Sequence, residues 1–181
     1  KWRVRSVKNM QSMFRAAKAF NGDLSTWNVS SVQTMYGLFH DAALFNRDLS
    51  KWDVSRVINM GQLYLNGNSF NGEMSKWDMS EVENMLGMFM GATSFNGDIS
   101  SWQVGGVQTM ESMFASATAF NSDISKWDVS RVTNMYGMFW GATLFNCGIF
   151  TWNVSSVLNM HGMFMDASAF NANISDWDVS R

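Results

Sequence analysis

The apolar positions of this chain recur in a fixed order. Around Trp27 they alternate: Trp27 and Val29 are apolar, while Thr26, Asn28 and Ser30 beside them are polar. Alternation with a period of two predicts a short strand with one buried face. The period then changes. Val32, Met35, Leu38, Phe39 and Ala42 follow at steps of three and four, the spacing that gathers side chains on one face of a helix. Ser30 stands at the N-cap position, with Gln33 as the third-residue partner of a capping box. Gly37, Gly87, Gly137 and Gly162 fall inside the predicted helices and weaken them, so a helix in α or 3₁₀ form is expected. A return segment with Phe45, Asn46, Asp48 and Leu49 completes the unit.

The unit is copied without insertion or deletion. Trp stands at 2, 27, 52, 77, 102, 127, 152 and 177, a constant step of 25. The same step carries Met10 through Met160 and the Phe-Asn pairs from Phe20-Asn21 to Phe170-Asn171. A two- or three-residue strand is not stable alone, but stacked at about 4.8 Å per coil such strands form a parallel sheet. The expected fold class is therefore an α/β repeat solenoid of seven 25-residue units, with short parallel strands on one face and short helices on the other. Residues 1–181 form a single solenoid. The sequence begins inside a unit at Lys1-Trp2 and stops after a strand at Arg181. It thus reads as a segment of a longer chain, or as a subunit making end-to-end or assembly contacts through uncapped termini.

Leu24-x-x-Trp27-x-Val29-x-x-Val32 has the spacing of the leucine-rich-repeat consensus. The fuller unit resembles the BspA-like leucine-rich-repeat surface proteins, best seen in Trp127-Asp128-Val129-Ser130, Asn134-Met135, Met138-Phe139, Ala142 and Phe145-Asn146. That resemblance implies a leucine-rich-repeat-like fold, a cell-surface or extracellular location, and binding or adhesion without catalysis. Gly105-Gly106 depart from the pattern at a predicted cap. Leu65-Asn66-Gly67-Asn68 is expected to end the third helix early, and Gly148 and Phe150 alter a return segment beside Cys147.

Composition narrows the function. The chain is 46% apolar and 15% charged with a net charge of -2, which argues against disorder, against a nucleic-acid footprint and against a polybasic membrane face. No apolar run approaches the roughly 20 residues of a membrane span. One cysteine, Cys147, excludes an internal disulfide framework, and His40 and His161 lie on outward rows without a matched nucleophile. Neither an enzyme, a metal site nor a cofactor is expected. Fourteen of the 16 methionines fall on inward rows, as gap-filling core residues do.

The polar rows admit two readings each. Asp23, Asp48, Glu73, Asp98 and Asp123 form one row and Asp53, Asp78, Asp128 and Asp178 another. A Ca²⁺ ladder is one reading; turn carboxylates accepting backbone N–H bonds are the favoured one. The Asn row from Asn21 to Asn171 is expected to be a stack bonding turn backbone in neighbouring coils rather than a ligand-reading ladder. Asn28, Asn153 and Asn173 match the glycosylation acceptor pattern, which matters only in a secretory eukaryote.

The outward rows carry the main functional expectation. Tyr36, Leu65, Leu86, Met90, Tyr136, Trp140 and Met165 are predicted to form an apolar convex strip for a partner protein, with half-burial by helix tilt as the competing reading. A weaker site on the concave face comprises Lys51, Asp53, Lys76, Asp78, Lys126 and Asp128. The expected function is a non-catalytic adhesion or scaffold module. The alternatives are a structural subunit docking through the convex strip in a large assembly, and a glycan- or ion-binding array on the concave face.

Overall fold

A computed structural model describes residues 2–180. The chain winds into stacked coils, and consecutive coils run parallel. Asn9 bridges to Thr34, Thr34 to Asn59, and so on through Asn84, Thr109, Asn134 and Asn159, each step being 25 residues. These isolated bridges are the whole of the β-structure among the described residues, and no helix occurs among them. The α/β leucine-rich-repeat fold expected from the sequence is thus overturned in both of its elements.

A string of overlapping turns replaces the helix. In one coil Leu38 N–H donates to the Met35 carbonyl at 3.0 Å, His40 N–H to Gly37 at 3.1 Å, Ala42 N–H to Phe39 at 3.0 Å and Phe45 N–H to Ala42 at 3.0 Å. The intervening donors leave the coil altogether. Met35, Gly37, Phe39 and Asp41 donate to the carbonyls of Asn59, Gly61, Leu63 and Leu65 in the next coil, at 2.8–3.0 Å. A helix would spend every N–H inside its own coil. Here alternate amides knit neighbouring coils, and backbone pairing is satisfied without a regular element.

The turns also demand a conformation that no α-helix contains. Gly37 and Asp41 have φ of +60° and +57°, and the pair recurs 25 residues on as Gln62 and Asn66, then Gly87 and Gly91. Each occupies the third position of a turn, where φ must be positive in type II geometry. The glycines that weakened the predicted helix are therefore signatures of the turn, and Leu65-Asn66-Gly67-Asn68 ends no helix because there is none to end.

The predicted strand at Trp27–Val29 is also absent. No backbone hydrogen bond joins these rows between coils among the described residues. Side chains make the link instead. Trp52 Nε1 donates to the Leu24 carbonyl at 3.1 Å, and Trp77, Trp102, Trp127, Trp152 and Trp177 in the same row each repeat the bond 28 residues back. On the opposite side Asn46 N–H donates to Asn21 Oδ1 at 3.1 Å, and the Asn row continues this ladder to Asn171.

Between these seams lies one continuous core. Val32, Met35, Leu38, Phe39, Ala42 and Phe45 are buried, as are their equivalents in the central coils. Phe39 stacks on Phe45 within its coil at 3.9 Å between centroids and on Tyr64 in the next at 5.5 Å. These columns remove large rings from water and contribute stacking beyond the area buried.

Candidate functional site

The outward strip is only partly open. Met90, Trp140 and Met165 are exposed at 39%, 39% and 46%, whereas Tyr36, Leu65, Leu86 and Tyr136 are half-buried. The half-buried members lean on the next coil. Tyr36 covers Gly61, where an added Cβ would lie 2.9 Å from the ring. The strip is also broken in the middle, since Ala115 is buried and Glu111 accepts a bond from Asn134 Nδ2 at 2.8 Å.

What the fold brings together is a patch on two neighbouring coils. Trp140 Nε1 donates to Asp166 Oδ2 at 3.1 Å, which ties the indole to the coil that carries Met165. Tyr136 stacks on His161 with centroids 5.4 Å apart and planes 9° from parallel. The result is an ordered aromatic surface with the carboxylates of Glu111 and Asp166 at its edges.

Several more open apolar side chains lie outside the predicted strip. Leu158 is 74% exposed, and Leu44, Ile58, Leu144 and Phe150 are also exposed. Their signal lies across the repeats. Phe150 occupies a position held by Ser25, Ser50, Ser75, Ser100, Ser125 and Ser175, and an apolar residue in a polar row has no core role to explain it.

The opposite face places Lys51, Asp53, Lys76, Asp78, Lys126 and Asp128 in the open. It is grooved. One hollow of about 370 Å³ lies among residues 25–30 with Lys51 and Asp53, and a second of about 310 Å³ among residues 75–80 with Ser101 and Gln103. A third, of about 330 Å³, shares Ser80 and Gln103 with the second and continues past Gly105 and Gly106 to Asp128 and Arg131.

The acidic rows serve turns. Asp48 Oδ1 accepts the Ser50 N–H at 2.8 Å, and Asp78 Oδ1 that of Ser80 at 3.0 Å. The Ser50 and Ser80 hydroxyls and amides hold these two carboxyls below their ordinary range. No group of three or more metal-ligating side chains converges among the described residues. His40 Nε2 sits 3.4 Å from Asp41 Oδ2. Cys147 is half-buried with Sγ 3.7 Å from Asp123 Oδ1, and burial first, then that carboxylate, pushes its thiol up. No helix among the described residues is long and apolar enough to cross a membrane.

The chain belongs to the family described as "Mycoplasma protein of unknown function, DUF285", which matches residues 1–102 and 121–181. The unmatched stretch between them contains Gly105-Gly106 and Glu111. No curated protein matches the chain.

Proposed function

We propose that this member of the DUF285 family is a non-catalytic interaction module, displayed at the cell surface, that captures a partner protein for adhesion or scaffolding. The observation that carries the reading is Trp140, 39% exposed yet pinned by its bond to Asp166 and flanked by Met165. A large ring already fixed in place gains contact area on binding while losing little side-chain entropy. Glu111 and Asp166 beside the Tyr136 and Trp140 rings suit a partner that presents Arg or Lys, through cation–π and charge-assisted contacts. The likeness of the repeat to BspA-like surface proteins supports surface display.

Affinity purification of the native protein with crosslinking mass spectrometry tests the reading. A stoichiometric partner crosslinked near residues 136–165, and lost from a Trp140→Lys variant that still folds, is the expected result. Crosslinks confined to other faces, or capture that survives the substitution, would refute it.

A further inference from the structure

We propose that the grooved polar face, separate from the Trp140 patch, binds a linear, neutral, hydroxyl-rich polysaccharide lying along the stack axis. Three observations on that face point to this chemistry. The first is shape. The second and third hollows share Ser80 and Gln103 and so form one trough across neighbouring coils. Gly105 and Gly106 shape its floor: a Cβ on Gly105 would lie 3.2 Å from Asp128 Oδ2, and one on Gly106 would lie 3.2 Å from the Ser80 carbonyl. This is where the chain abandons its usual Ser, and neither glycine has a positive φ to explain the choice.

The second is charge. Lys51, Lys76 and Arg131 on the walls are matched by Asp53, Asp78 and Asp128. The net charge of the lining is zero, so a polyanion gains little there, whereas a neutral polymer meets donors and acceptors in equal supply.

The third is hydrogen-bonding capacity. The backbone N–H groups of Asp78, Gln103 and Asp128 find no acceptor among the described residues, because the coils are not paired at these rows. Each coil thus offers amide donors beside side-chain acceptors, and a sugar hydroxyl both donates and accepts. The indole rings beneath this face repeat from coil to coil at 6.2–6.3 Å, so an extended polymer meets the same set at regular intervals. A peptide is disfavoured, since these amides belong to separate coils rather than to one strand edge. The trough also lacks an apolar pocket for a side chain: Trp77 beneath it is 3% exposed.

Native affinity electrophoresis tests the site, with the whole chain run through gels containing hydroxyethylcellulose, arabinoxylan, galactomannan or polygalacturonate. Retardation by at least one neutral polymer is expected. It should weaken at least fivefold in a Lys76→Ala/Gln103→Ala variant and persist in Trp140→Lys. Lys76 and Gln103 are exposed and their side chains make no hydrogen bond among the described residues, so their loss spares the fold. Three outcomes would each overturn the proposal: no retardation by any neutral polymer, retardation indifferent to the double variant, or retardation by polygalacturonate alone.

Discussion

Trp102 donates its indole N–H to the carbonyl oxygen of Met74 at 3.0 Å, one coil back in the stack. The ring lies under the polar face with 3% of its surface exposed and stacks on Trp127 at 6.2 Å. One side chain thus supplies a core rung and the polar link that the backbone omits at these rows. The same bond recurs along the row from Trp52 to Trp177, and Trp stands at this position in every copy of the repeat.

Replacing Trp102 by Phe keeps a ring in place but removes the indole bond, leaving the Met74 carbonyl to accept only the Trp77 N–H at 3.0 Å. The loss of one buried hydrogen bond, with its acceptor still partnered, is expected to cost about 1 kcal/mol. Trp102→Ala, which also opens a cavity, is expected to cost about 3–5 kcal/mol. Urea unfolding of both variants checks the difference, and equal costs would show that the bond contributes nothing.

Tyr64 gives the opposite sign. Its hydroxyl is fully buried and finds no hydrogen-bond partner, in a row otherwise occupied by Phe. Tyr64→Phe removes an unsatisfied polar atom and is expected to stabilise the chain by about 1 kcal/mol. A lower urea midpoint would contradict this.

Gly137 and Gln62 occupy the same turn position with φ of +56° for both. A Cβ on Gly137 meets only the Ser112 Oγ at 3.5 Å and Trp140 atoms beyond it, so the penalty of Gly137→Ala is conformational. It is expected to be about 1–2 kcal/mol. Gln62→Gly relieves the same strain and is expected to shift the melting temperature upward, less the entropy glycine adds to the unfolded chain. Shifts of the same sign in both variants would refute the turn assignment.

Acid should loosen the stack. The Ser100 amide, then its hydroxyl, lowers the carboxyl of Asp98, and the Ser125 hydroxyl and amide do the same for Asp123. A carboxyl held lower in the folded chain than its unfolded value of about 3.9 stabilises fully above that value. The contribution disappears as pH falls through the folded value. Melting temperature should therefore drop below about pH 4 and be level, as far as these groups are concerned, around neutral pH, where their contribution is complete. Asp98→Asn keeps an acceptor for Ser100 without titrating, so its acid decline should be shallower in thermal melts from pH 7 to 3. An unchanged decline would remove Asp98 from the account.

Both candidate surfaces were legible only in part. Row comparison picked out Met90, Trp140 and Met165, which are open, and also Leu65 and Leu86, which are half-buried because each coil's side chains lean over the next. That lean depends on the path of the neighbouring coil and leaves no mark in one repeat. Gly105-Gly106 stood out as a departure, but its meaning appeared only beside Asp128 and the Ser80 carbonyl, residues brought close by stacking.

The step of 25 and the buried rows Val32, Met35, Leu38, Phe39, Ala42 and Phe45 follow from the sequence alone, since only apolar side chains can fill a dry column repeated without insertion. The local conformation does not follow. Steps of three and four suit a helix and a string of i to i+3 turns equally well, and both place the same residues inward. Tertiary structure decided between them: Met35, Gly37, Phe39 and Asp41 find acceptors 24 residues away in the next coil, and Gly37 and Asp41 take the positive φ that this pairing requires.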